Sequence, residues 1–189
     1  ENEELKLVKT ISGGTVNNAA LSGAFDASNY VVLDADTTAQ DSWRIPAGKT
    51  LTVNGNLDLA AGQTLTVNGT LIVNGTYALN GATENGSGTV IVNGEIVFGS
   101  ALAGTVKVTA NTAKMANNMT ISGGTVTIKG AITNDDNYTL TITGGTVSAT
   151  NVAANLTVSG GTVNVGAVTG DVTASGTANV TTGNVTGNV

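Results

Sequence analysis

The chain has no cysteine and no histidine in its 189 residues. The first absence removes disulfides, thiolate metal ligands and a cysteine nucleophile. The second removes the commonest general base, and with it any Ser-His or Cys-His arrangement. Proline occurs once, and aromatic residues make up 3 % of the chain. Charged residues make up 11 %, under half the usual share of about 25 %. Leu, Glu, Lys and Arg thin out after the first residues, so long helices are not expected. No apolar run is long enough to cross a bilayer. The net charge is -6; with so few cations and no basic cluster, nucleic acid and anionic membranes are excluded as partners.

What remains is glycine, 26 residues of it, together with abundant Thr, Val and Asn, a bias toward strands and turns. These residues are organised as repeats. "LTVNG" occurs at Leu51 and Leu65, "LIVNG" at Leu71 and "VIVNG" at Val90. A second set, "ISGGTV", "ITGGTV" and "VSGGTV", begins at Ile11, Ile121, Ile142 and Val158. Each unit alternates: Met119, Ile121, Val126 and Ile128 point one way, and Thr120, Thr125 and Thr127 the other, the period of a half-buried strand. Gly pairs and Asn-Gly steps supply the bends between short strands.

Asn-Gly between strands also suits antiparallel hairpins, so a β-sandwich competes. Three features favour a parallel β-solenoid, or β-helix. The strands are short, the same side-chain classes return after each bend, and aromatics are too few to fill a sandwich core. With about 20 residues per coil the chain makes roughly nine coils, a rod about 40–45 Å long at the strand spacing.

Residues 1–50 hold 11 of the 20 charged residues, the only Trp and the only Pro. They read as an N-terminal cap or attachment element, with residues 51–189 as one continuous run of solenoid coils. The opening "ENEELKLVKTI" fits either a strand or one amphipathic helical turn. From Gly130 onward only Asp135, Asp136 and Asp171 are charged.

The stretch "IPAGKTLTVNGNLDLAAGQTLTVNGTLIVNG", Ile45 to Gly75, resembles secreted bacterial β-helix surface and adhesin-like proteins with Gly/Asn/Thr-rich coils. The resemblance covers residues 45–189 and is one of repeat style. It implies the fold and an extracellular or cell-surface setting, and carries over no catalytic or binding residue.

Candidate sites are few. Asp135 and Asp136 are neighbours in a turn and make a poor catalytic pair, so no enzyme and no cofactor are expected. Asp34, Asp36 and Asp41 open like a Ca²⁺ loop, but Ala39 stands where such a loop has its Gly and no terminal Glu follows; they are weak metal candidates. The aromatics are scattered and read as core or cap rather than as a sugar-binding platform. Thr-x-Thr pairs occur at Thr125–Thr127 and from Thr139 to Thr143, but the uneven repeat spacing gives them no common register. A flat ice-binding face is therefore not expected.

The two ends carry the functional expectation. "TASGTANVTTGNVTGNV", Thr173 to Val189, has no charge and no Pro to guard a sheet edge. Either a longer solenoid continues past Val189 or another chain covers the edge. The second case predicts a structural protein that assembles head to tail into a fibre. Its partner is a copy of itself, and its interface is Leu5, Leu7 and Ile11 against Val180, Val185 and Val189. The alternative is an adhesin or glycan-binding segment of a larger surface protein.

Overall fold

A computed structural model describes residues 7–189. The chain is a stack of parallel ladders wound about 9 turns, a β-solenoid and not a barrel. All strand pairs are parallel, in a 15-stranded sheet A and an 8-stranded sheet B. An antiparallel sandwich is thereby excluded.

The first coil contains β1 (Val8–Ile11), β2 (Gly14–Val16) and a helix, α1 (Asn18–Ala27). The second contains β3 (Tyr30–Leu33), β4 (Thr37–Ala39) and β5 (Trp43–Ile45). β1 and β3 begin one side of sheet A, β2 and β4 begin a second side of the same sheet, and β5 begins sheet B. Later coils repeat this order. In the fifth and sixth, single long strands, Thr89–Phe98 and Lys107–Met115, run through both sides of sheet A.

The "TLTV" segments show how the sequence builds this. In Thr50–Val53, Leu51 and Val53 are buried and the threonines half-buried, as alternation requires. Each inward side chain then stacks on its counterpart one coil away. One column passes through Val31, Leu51, Leu71, Val90, Val108, Val126, Val147, Val163 and Val180. Each buried Val or Leu adds about 1.5–3 kcal/mol.

Coil length is not constant. Asn56 Oδ1 accepts from Thr76 N, 20 residues on, whereas Asn155 Oδ1 accepts from Asp171 N, 16 residues on. The difference is taken up in the links. Residues 59–63 join the second and third sides of the third coil, and only Ala153 and Ala154 do so in the eighth. The strands therefore keep register while the repeats vary.

Of the opening stretch, Val8–Ile11 form a strand, and residues 1–6 lie outside the described residues. The helix that follows was not expected from the sequence, yet its signals are ordinary. Asn17 Oδ1 accepts from Ala20 N at 2.8 Å as the N-cap, and Leu21, Ala24 and Phe25 form the buried stripe. α1 packs against β1, β3 and β5 and takes the place of a sheet-B strand in the first coil. It closes that edge of the sheet. Arg44 N donates to Asn18 Oδ1 at 2.8 Å, and Trp43 Nε1 donates to the Val16 carbonyl at 3.1 Å.

Candidate functional site

Three arrangements are candidates for function: the two ends of sheet A, a buried polar pair in the fourth coil, and the outward threonine columns.

At one end the outer strands of sheet A are β1 and, on its second side, β2; at the other end the outer strand is Asn179–Thr181. At the first, Ile11 packs partly buried against the core while Leu7 is exposed; Leu5 lies outside the described residues. At the second, Val180 and Val185 are half-buried against the core and Val189 is exposed. Val185 extends the second side through a bridge to Val168, and Val172 N donates to the Asn188 carbonyl at 2.8 Å. The five described residues among the six expected at an interface thus divide between opposite ends of the rod, and none from one end touches the other. Hydrogen-bond direction sets what each end offers. The Ile11 carbonyl accepts from Asp34 N, so Ile11 and Lys9 face β3, and by alternation the N–H and C=O of Val8 and Thr10 face outward. Asn179 N donates inward to the Gly161 carbonyl, which leaves Val180 facing outward at the far end.

The buried pair is Tyr77 and Glu84, both inaccessible to solvent. Glu84 sits in an inward column between Leu65 and Leu102; Tyr77 stands between Leu57 and Ile96. No hydrogen bond of ordinary geometry reaches Tyr77 Oη or either Glu84 oxygen among the described residues. Burial pushes the Glu84 carboxyl from 4.5 up to about 7, against an opposing pull from Tyr77. Burial first, and then the Glu84 charge, hold the Tyr77 hydroxyl well above its usual range. Nothing in the sequence reading singled out Glu84. The available signal was its place in "ATENG", where the neighbouring "TLTVNG" segment has Leu65.

The threonine columns correct the expectation that these pairs lack a register. On sheet A one outward column contains Thr50, Thr70, Thr89, Lys107, Thr125, Thr146 and Thr162. The column two residues along contains Thr52, Ile72, Ile91, Thr109, Thr127, Ser148 and Asn164. Sheet B adds Thr64, Thr83, Ala101, Thr120, Thr141, Thr157 and Thr173. Unequal repeat spacing misled because the links, not the strands, absorb it. Lys107, Ile72, Ile91, Asn164 and Ala101 interrupt the hydroxyl pattern.

The three aspartates have other work. Asp34 Oδ1 accepts from Gly13 N at 2.9 Å, Asp36 Oδ1 from Asn56 N at 2.8 Å, and Asp41 Oδ1 from Asn18 N at 2.7 Å. Each ties its loop to a neighbouring coil or to the helix. No group of three or more Asp or Glu able to hold a metal ion occurs among the described residues. Asp135 pairs with Lys114 at 2.5 Å on the surface. Trp43, Tyr77, Phe98 and Phe25 are buried, and Tyr30 and Tyr138 are half-buried. No helix is long and apolar enough to cross a membrane among the described residues. Compared with known proteins, the chain matches no family, no curated sequence and no solved structure.

Proposed function

We propose that the chain is a non-enzymatic structural rod of the cell surface or extracellular matrix, and that copies associate head to tail through the two edges of sheet A. One observation carries this reading. β1 and the strand Asn179–Thr181 bear the same columns as the interior of the sheet, and neither has a partner on its outer side among the described residues. An edge of that kind accepts a parallel strand by main-chain hydrogen bonding. Because the two edges differ and face opposite ways, the contact is heterologous and propagates.

The test is Thr10→Pro, which removes an outward N–H from β1 and leaves the bonds to β3 in place. Sedimentation and negative-stain electron microscopy of the wild type should show particles several rod lengths long at high protein concentration. Thr10→Pro should show single rods at the same concentration, with an unchanged circular dichroism spectrum. Single rods in both samples would remove the head-to-tail mode.

A second reading, an adhesin or glycan-binding segment of a larger surface protein, is favoured by the in-register threonine columns. They present a regular array of hydroxyl and methyl groups about 4.7–4.9 Å apart along the rod. Replacing Thr120, Thr141 and Thr157 with Lys should abolish retention on an immobilised polysaccharide if that face binds one, and should leave melting nearly unchanged.

A further inference from the structure

The inward column of sheet A has one member that does not belong to a core. It continues from Val31, Leu51 and Leu71 to Val163 and Val180, all Val or Leu, and its first member is Lys9. Paired residues of a parallel ladder share a face, so Lys9 lies on the side on which Val31 is buried. Ile11, two residues on, confirms the side: it pairs with the buried Leu33 and packs against the core. Lys9 is exposed, and no coil precedes it among the described residues.

A second copy stacked in register would set its Val180 column over this ammonium group. Among the described residues, the approaching edge brings no acidic side chain to meet it. Asp171 is the only charge after Asp136; it precedes the sheet-B strand Val172–Ala174, and its Oδ1 accepts from Asn188 N at 2.7 Å. A lysine enclosed between coils without a counter-ion opposes association, and a charge directed inward on an edge strand is a known guard against edge-to-edge pairing. The sheet-B side of this end is covered differently, by α1 across β5.

We propose that Lys9 is a gatekeeper: it keeps head-to-tail stacking of this chain on a second copy weak and reversible, the partner surface being the outer edge of Asn179–Thr181. This rests on the head-to-tail reading above. Removing the charge converts a weak joint into a strong one.

The experiment compares wild type, Lys9→Met, Lys9→Arg and the double variant Lys9→Met/Thr10→Pro by sedimentation over a concentration series. Circular dichroism verifies the fold of each. Met keeps most of the length of the side chain without its charge. Lys9→Met should assemble into extended rods at a concentration on the order of 100-fold lower than wild type. Lys9→Arg should behave as wild type, and the double variant should revert to single rods. If wild type and Lys9→Met assemble equally, the gatekeeper falls and head-to-tail association stands. If neither assembles at any concentration, both fall. If Lys9→Met assembly survives Thr10→Pro, the joint lies elsewhere and the gatekeeper is overturned.

Discussion

Glu84→Leu should stabilise the rod by about 3 kcal/mol at pH 8 and change it little at pH 4. The size follows from the buried carboxyl, raised from 4.5 to about 7, since each unit is worth about 1.4 kcal/mol. The sign follows from proton binding. Between those two values the folded chain keeps a proton that the unfolded chain has released. Stability from this group is therefore complete below about 4.5, falls as pH rises toward 7, and is flat above. Leucine matches the column, where Leu65 and Leu102 flank the position, and fills it without the charge. Glu84→Leu also removes the interaction between the carboxyl and the buried Tyr77 hydroxyl, which acts on Glu84 in the opposite sense to burial and is smaller than it. Denaturant unfolding from pH 4 to pH 9 checks this. Wild-type stability should decline between pH 4.5 and 7 more steeply than that of Glu84→Leu or of Glu84→Gln, which cannot ionise. Parallel profiles for the three proteins would show that Glu84 is not the group responsible.

Gly86→Ala should destabilise by about 3–5 kcal/mol, the largest loss expected from adding one methyl group to this chain. Gly86 sits opposite Val67 on sheet B with φ at 124°, a backbone conformation costly to any residue with a Cβ. A Cβ there would lie 2.6 Å from the Val67 carbonyl carbon and closer still to its oxygen. Relief requires two coils to separate, which strains the adjacent ladder bonds. Gly48→Ala is the control. Its φ is 76° and nothing lies within 4 Å of the added atom, so the expected cost is only about 1 kcal/mol of backbone strain. Thermal melts of the two variants separate the causes. Equal losses would mean that backbone conformation alone decides, and that the close stacking of coils contributes nothing.

Much of the architecture was readable from the alternation of residues. Met119, Ile121, Val126 and Ile128 were assignable to a buried face because a strand has a side-chain period of two, and that period is local. Short strands joined by Gly pairs and Asn-Gly steps pointed to parallel coils, and roughly nine of them followed from length. The helix was less legible. Asn17 and the spacing of Leu21, Ala24 and Phe25 are helical signals, but they lie in a stretch of small residues that the surrounding strand pattern obscures.

What the sequence determined by itself was therefore which side chains are buried within each strand, and that the strands stack. The tertiary structure alone decided which residue stands over which. Coil length varies between Thr76 and Asp171 by several residues, and the variation is absorbed in links whose lengths carry no register. Main-chain hydrogen bonds between coils set the pairing. They place Glu84 in a leucine column, align threonines that appear unevenly spaced, and put Lys9 at the head of the Val and Leu core. Those three placements carry the pH dependence, the surface array and the guarded edge, and none can be read from one strand without knowing its neighbour.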